Sequence, residues 1–394
     1  KYIEKSINNE DIYTERLRHF LESEEFYNLL KKNEIDFYTG VPDSLLKDYL
    51  AYLNDNSNNN IVTANEGLAV SLATGYHLAT QKIPCVYLQN SGLGNIINPL
   101  LSLVNEKVYN IPMLFLVGWR GEPYKKDEPQ HLVQGELTEK ILQSLNINYS
   151  ILPDHIEYCE YIVEDAIKYI KNTNKPYILL VKRQTFEKYL PINSDLKNIN
   201  PKKLNRYEVL ETITDVLNDS NFKYISTTGF VSRELYDIRN KQKSNLGNDF
   251  YTVGSMGHCS SIATGLAMYS NKKVICLDGD GSCLMHLGSM STIGNLQPNL
   301  IHILFNNEVH ESVGNQTTNS NNTNFIDIAK ACGYKETYLV ENNEGLNKVL
   351  DIIKNNKIKL PIFIEIKINI GTIENLGRPK ESLINIKKRF INNI

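Results

Sequence analysis

Seven short apolar runs, each bounded by turn residues and followed by a helix-length stretch, constrain this chain most. They are IPCVYLQ (83–89), IPMLFLVG (111–118), PYILLVK (176–182), KYISTTG (223–229), KVICLDG (273–279), LIHILFNN (300–307) and PIFIEIKI (361–368). Strand-like runs alternating with helical patterns predict α/β architecture with a largely parallel sheet. At 394 residues the chain exceeds what one core usually supports, so two domains are expected. The polar stretch PINSDLKNINPKK, Pro191–Lys203, reads as the linker between them. The expected division is an N-terminal extension (1–20), a first α/β domain (21–190), the linker (191–203) and a second α/β domain (204–394). No internal repeat is visible in the sequence.

Composition removes several function classes. A formal net charge of −3 gives no electrostatic case for nucleic acid. No apolar run is long enough for a transmembrane helix, so no membrane partner is expected. The opening KYIEKSINNEDIYTERLRHF is charged and lacks the apolar stretch of a secretory signal. Six scattered cysteines with no CxxC pair read as small core hydrophobes of a cytoplasmic, reduced protein. Asn-rich runs such as NDNSNNN read as loop tips.

The chemistry concentrates in VICLDGDGSCLMHLGS, Val274–Ser289. Its D-x-D-x-S spacing looks like a calcium loop, but such a loop needs Gly at its sixth position and a carboxylate at its twelfth. Counted from Asp278, those positions hold Cys283 and Ser289. The run before it is a buried strand, and Leu284, Leu287, Met290 and Ile293 have helical spacing. Strand, Gly-rich turn and helix aim backbone N–H groups at phosphate. An acidic residue beside a phosphate then needs a cation between the two anions. Asn307 ends the next strand, 27 positions (307 − 280) after Asp280. That is one turn, one helix and one return strand, which brings both residues to the same carboxyl edge of a parallel sheet. Oxygen ligands of this kind suit magnesium, which completes its shell with phosphate and water.

The pairing of GDGS (Gly279–Ser282) with Asn306-Asn307 is similar to the signature of thiamine-diphosphate enzymes. The resemblance implies two doubly wound parallel-sheet domains, one binding the pyrimidine and one the diphosphate, with no central domain. It implies that Asp280, Asn307 and the Val309 carbonyl hold Mg2+ against the cofactor. TVGSMGHCSSIATGLA (252–267) resembles the segment supporting the cofactor, with Met256 as an apolar wedge. Gly254, Ser255, Met256, Gly279, Gly281, Ser282 and Asn90 are the implied cofactor contacts. Glu66, in TANEGLAVSLATGYHLA, falls where the family's Glu activates the aminopyrimidine, although relatives often carry His where this chain has Asn65.

YTGVPDSLLKDYL (38–50), QNSGLGNIINPL (89–100), GWRGEPYKKDEPQH (118–131) and NNEVHESVGNQTT (306–318) look like phosphonopyruvate decarboxylases, close to the sulfopyruvate decarboxylases. The implied activity is loss of carbon dioxide from 3-phosphonopyruvate to give phosphonoacetaldehyde, a step of phosphonate biosynthesis. Sulfopyruvate, carboligation and non-catalytic thiamine binding are the alternatives. His131 and His310 are the proton-transfer candidates, because imidazole titrates in the useful range. His258 and His286 read as structural. Backbone donors from Gly40 to Ser44, where TGVPDSLL opens a helix, offer a dianion site. Asp43 and Ser44, with Arg120 and Arg378 in Gly-flanked turns, are the substrate-binding candidates. Trp119 walls a pocket or belongs to the core. Asn315 departs from an expected Gly, and NIGTIENLGRP lacks an expected second Arg. The family builds its site between subunits, which implies a homodimer or a larger homo-oligomer.

Overall fold

The computed structural model describes residues 2–7, 13–18, 20–192, 204–243, 246–379 and 381–394. Residues 193–203 of the expected linker therefore lie outside the described residues. The chain forms two compact units, residues 1–194 with 313–316 and residues 195–312 with 317–394. Within the expected N-terminal extension, β1 (Tyr2–Ile7) and β2 (Tyr13–Arg18) pair antiparallel.

The first unit holds β3 (Tyr38–Gly40), β4 (Asn60–Val62), β5 (Cys85–Gln89), β6 (Leu114–Gly118), β7 (Asn148–Ile151) and β8 (Tyr177–Val181). They make one parallel sheet in the order β4-β3-β5-β6-β8-β7. Its helices are α1 (Ser23–Lys32), α2 (Lys47–Asn56), α3 (Glu66–Thr80), α4 (Leu93–Pro99), α5 (Pro129–Ser144) and α6 (Ile156–Thr173). Strand residues alternate between faces. Cys85, Tyr87, Leu114, Leu116 and Leu179 pack with α1, α2 and α6. Val86, Leu88, Phe115, Val117 and Ile178 pack with α3, α4 and α5. With both faces covered, most positions of β5, β6 and β8 are apolar, which is why these strands read as nearly unbroken runs.

The second unit holds β9 (Phe222–Ser226), β10 (Asp249–Tyr251), β11 (Lys273–Gly279), β12 (Leu300–Asn306), β13 (Val309–His310), β15 (Glu336–Val340) and β16 (Ile362–Lys367), and β14 (Gln316–Thr317) falls on the boundary after residue 316. Its parallel sheet runs β10-β9-β11-β12-β16-β15. The helices are α7 (Arg206–Val216), α8 (Phe230–Gln242), α9 (Cys259–Tyr269), α10 (Asp280–Met285), α11 (Ser289–Leu296), α12 (Phe325–Cys332), α13 (Asn343–Lys354) and α14 (Leu383–Ile391). Ile275, Leu277, Ile301 and Ile303 face α7, α8 and α13. Val274, Cys276, Leu300 and Leu304 face α9, α11 and α12.

All seven apolar runs contain strands. The three-residue strands β3, β4 and β10 are too short to show a period, and the edge strands β7 and β15 are half-exposed. Numbered in chain order within each sheet, the strands of both units run 2-1-3-4-6-5. The halves thus share a topology that their sequences hide. Strand order reverses between the first and third strands, and ligands of open α/β sheets bind outside the carboxyl ends at such a point.

Candidate active site

In the second unit the reversal lies between β9 and β11. Gly279 pairs in register with Phe305, so Asp280 and Asn306-Asn307 emerge side by side. The single helix expected after the turn is broken: α10 ends at Met285, and His286 leaves helical geometry at φ −132° and ψ 51° before α11 begins. Six residues of α10 make a short dipole, so the backbone of the turn matters more than the helix.

Asp280 is buried, with its Oδ2 accepting from the Thr318 hydroxyl (2.6 Å) and the Ser320 hydroxyl (2.7 Å). Burial pushes its carboxyl above the usual carboxylate range despite these hydrogen bonds. A buried carboxylate whose side-chain partners are hydroxyls suits a cation. Ser282 Oγ accepts from Thr227 Oγ1 (2.9 Å) and from the Gly257 N–H (3.1 Å), which ties the turn to the 254–257 segment. Gly257 is obligatory on two counts: φ is +87°, and a Cβ would sit 2.3 Å from His286 Nδ1. Ser255 also has positive φ and is exposed, whereas Gly254 and Met256 are half-buried. A Cβ on Gly281 would lie 2.8 Å from His310 Cε1, so His310 packs directly on the turn. Desolvation pushes the His310 imidazole down to about 4.

Asp278 is the penultimate residue of β11, paired in register with Leu304, so it lies in the strand and not in the turn. Its Oδ1 accepts from the Gly279 N–H (2.9 Å), and its Oδ2 lies 3.4 Å from His302 Nε2. The two asparagines differ. Asn306 is fully buried, donating to Glu365 Oε1 (2.8 Å) and accepting from the Glu308 N–H (3.2 Å) and the Ser320 hydroxyl (3.1 Å). Asn307 donates to Glu311 Oε2 (3.0 Å) and accepts from the Val309 N–H (3.2 Å). Thr318, Ser320, Glu311 and Glu365 were invisible in the sequence, because nothing in their spacing points to the turn.

In the first unit the reversal lies between β3 and β5. Glu66 opens α3, and Asn65 caps the helix by accepting from the Gly67 N–H at 2.7 Å. Asn65, where the resemblance led to an expected His, thus has a local role as the helix cap. Glu66 is buried, and its Oε2 accepts from Asn95 Nδ2 at 2.7 Å. Burial raises its carboxyl pKa. A Cβ on Gly92 would meet Oε1 at 2.4 Å, so Gly92 makes the space for this carboxyl.

Three residues expected at ligand contacts have side-chain partners within the fold. Asn90 is buried; its amide donates to the Arg120 carbonyl (2.8 Å) and Thr138 Oγ1 (2.9 Å) and accepts from the Arg120 N–H (3.1 Å). It braces two loops, because both of its N–H donors are spent inside the protein. Asp43 is also fully buried, accepting from the Leu45 N–H (2.9 Å) and Gln89 Nε2 (2.6 Å). It caps a turn, and α2 begins only at Lys47, later than Gly40–Ser44 suggested. The Arg120 fork grips Asp127 through Nε (2.9 Å) and Nη2 (2.5 Å), while Nη1 donates to Ser44 Oγ (2.9 Å). The fork is therefore committed to a carboxylate of its own loop.

His131 is half-buried in the first turn of α5, and its carbonyl fills the position a Cβ on Gly121 would need. Trp119 is core, donating from Nε1 to the Gly135 carbonyl at 3.0 Å. Arg378 is exposed on a stretch that Arg233 anchors by donating to the Gly377 carbonyl (3.0 Å) and to that of Leu376. The exposed His258 packs against His286 with ring centroids 4.4 Å apart and the rings tilted by 48°. Asn315 adopts φ +63°, a left-handed conformation that Asn tolerates best after Gly, which accounts for the departure at that position.

Residues 23–143 match the family described as thiamine pyrophosphate enzyme, N-terminal TPP binding domain, and residues 227–366 match its C-terminal TPP binding domain. The chain is similar to the phosphonopyruvate decarboxylase of Streptomyces viridochromogenes, 31% identical over 366 residues and covering 89% of each chain. It is 30% identical over 349 residues to the sulfopyruvate decarboxylase of Methanosarcina acetivorans, covering 82% of this chain and 85% of that one. The sulfopyruvate decarboxylase subunit beta of Methanococcus maripaludis is 34% identical over 194 residues, which is 49% of this chain and 98% of that subunit. The likeness extends over both sheets and over nearly the full length of a relative, and the chain belongs to the thiamine pyrophosphate enzymes, in the phosphonopyruvate decarboxylase family.

Proposed function

We propose that this protein is a carboxy-lyase that converts 3-phosphonopyruvate to phosphonoacetaldehyde and carbon dioxide, with thiamine diphosphate and Mg2+. The observation that carries this reading is the carboxyl edge of the second sheet. There a buried Asp280, satisfied by hydroxyls, emerges beside Asn307. Asp280, Asn307 and the Val309 carbonyl are the Mg2+ ligands in this reading, and Gly254, Ser255, Met256, Gly279, Gly281 and Ser282 line the cofactor. When bound, thiamine diphosphate supplies the electron sink that decarboxylation of a 2-oxoacid requires.

The chain's own groups position, desolvate and move protons. Asn95 donates to Glu66 Oε2, so a proton on Glu66 resides at Oε1, the oxygen against Gly92. Its raised affinity for that proton makes Glu66 the activator of the cofactor. His310 is neutral at neutral pH, which suits it to accept rather than donate a proton beside the Gly281 turn. His131 is the second proton-transfer candidate. Ser44, held by Arg120, and the exposed Arg378 remain the candidates for the substrate's phosphonate, while Asp43 supports the Ser44 turn.

The substrate is thus a small 2-oxoacid with an anionic head. Exposed Leu68, Leu72 and Leu78 on α3 and Leu132, Val133 and Leu137 on α5 favour a homo-oligomer, which light scattering on the purified chain tests. No helix among the described residues is long and apolar enough to cross a membrane. The six cysteines are free, which favours a reducing, cytoplasmic setting.

The deciding experiment is an aldehyde-coupled assay on phosphonopyruvate, sulfopyruvate and pyruvate. Phosphonopyruvate should turn over fastest, and only with both thiamine diphosphate and Mg2+. Faster turnover of sulfopyruvate reassigns the head group, and no aldehyde from any of the three overturns the proposal.

A further inference from the structure

We infer that Glu311 is a positioning residue for the metal: it selects which atom of the Asn307 amide faces the cation and lends that atom negative charge. The inference rests on the reading of Asn307 as a Mg2+ ligand.

An asparagine amide has two ends of nearly equal shape, and only its oxygen can ligate a hard cation. Two neighbours decide its orientation here. Glu311 Oε2, 3.0 Å from Asn307 Nδ2, demands a donor, and the Val309 N–H, 3.2 Å from Asn307 Oδ1, demands an acceptor. Both constraints choose the same rotamer, with oxygen turned away from Glu311. A flipped amide would set oxygen against carboxylate and leave the Val309 N–H facing NH2.

Glu311 is itself held fast. Its Oε2 accepts from Arg206 Nη1 at 2.6 Å, and its Oε1 accepts from the Gly371 N–H at 2.8 Å. Arg206 also grips Glu234 through Nε (2.8 Å) and Nη2 (3.0 Å). One guanidinium therefore faces two carboxylates, with Arg206 and Glu234 only 4% and 0% exposed. The cluster carries one excess negative charge in a poorly solvated place, one hydrogen bond from Asn307. A cation on Asn307 Oδ1 would offset that excess. The same cluster fixes the start of the stretch leading to Arg378: Arg206 Nη2 donates to the Gly371 carbonyl (3.1 Å), and Thr372 donates to Glu234 Oε1 (2.7 Å).

The test is a Mn2+ titration followed by electron paramagnetic resonance, on the full chain with thiamine diphosphate present. Outer partners of metal ligands are worth about 10- to 100-fold in metal affinity. Glu311→Gln should weaken Mn2+ binding by about that factor, because its amide can donate to Asn307 and release the flip. Saturating metal should restore kcat, and the metal-free melting temperature should not fall, since Arg206 keeps Glu234. Asn307→Asp alone should also bind weakly, with two carboxylates face to face. Combined with Glu311→Gln it should recover, because the donor and acceptor of that hydrogen bond are exchanged. Asp280→Ala serves as the control. If Asp280→Ala abolishes Mn2+ binding while Glu311→Gln and the double variant match the parent, the inference is wrong and the metal site stands. If Asp280→Ala leaves binding intact, the metal site falls and the inference with it. A Glu311→Gln chain that melts earlier yet binds Mn2+ normally shows a structural role only.

Discussion

Asp43 and Asp280 occupy comparable places: each follows a strand beside the strand-order reversal of its sheet, and each is buried. Asp43 is closed off by Gln89, by the Leu45 N–H and by Gly118, where a Cβ would lie 1.9 Å from its Oδ2. Asp280 meets two hydroxyls, with His310 packed on the neighbouring Gly281. One topology therefore supports two solutions to a buried charge. The first edge satisfies itself with amides and an Arg120–Asp127 pair, and the second leaves a carboxylate among hydroxyls, where we propose that a cation completes it. Strand order locates both edges, and the partners of the carboxylates tell them apart.

The comparison breaks most sharply at these two residues. Asp280→Ala should lower decarboxylation by about a thousandfold, since a catalytic cation supplies several kcal/mol. Asp43→Ala should instead cost about 1–3 kcal/mol of stability, as unpaired buried donors do, with the Mg2+ dependence of the rate unchanged. Steady-state rates across Mg2+ concentrations, with denaturant melts, separate the two. A metal-dependent defect in the Asp43 variant would erase the distinction.

Glu66 is the exception at the first edge, a buried carboxyl with one amide donor. Its folded pKa is raised by burial, so the folded chain binds this proton more tightly than the unfolded chain. Stability is therefore lost as pH rises from the ordinary carboxylate range through the raised folded value. Glu66→Gln should remove that cost and raise the melting temperature at neutral pH, while kcat falls by about a hundredfold or more. A variant that loses both activity and stability would make Glu66 a packing residue.

Asp127 has the opposite sign. Burial alone would raise it, but hydrogen bonds from Arg120 and from the Gly121 and Glu128 N–H groups outweigh burial and hold it well below the usual carboxylate range. The stability it lends is complete above the unfolded value of about 3.9 and disappears as pH falls toward the folded value. Denaturant melts from neutral to strongly acidic pH should show Asp127→Asn losing less than the parent over that acid range. The smallest effect is expected at position 315. Asn315→Gly should be nearly silent, whereas Asn315→Ala should cost about 1 kcal/mol for its left-handed backbone.

Periodicity and apolar runs revealed the sheets, because strands buried on both faces carry few polar positions to interrupt them. The Asp280–Asn307 pair was legible for a related reason: the length of one helix and one return strand links its members along the chain. The roles of Asn90, Asp43 and Arg120 were not legible. Asn90 and Asp43 depend on partners brought near by the fold (Thr138 and Gln89), and Arg120 depends on how its own loop folds back to Asp127. Glu311 was missed although it lies four residues after Asn307, because its value comes from Arg206, more than a hundred positions earlier. Sequence reading found groups that act through backbone register and missed groups that act through side-chain charge.

The shared strand order also bears on how the chain is made. Each sheet draws all six of its strands from its own half, the first ending at Val181 and the second starting at Phe222. The first sheet can therefore be completed on the ribosome before any strand of the second has emerged. Restarting translation between the two would remove no strand from either sheet, so a single gene and a pair of genes are equivalent ways of encoding them.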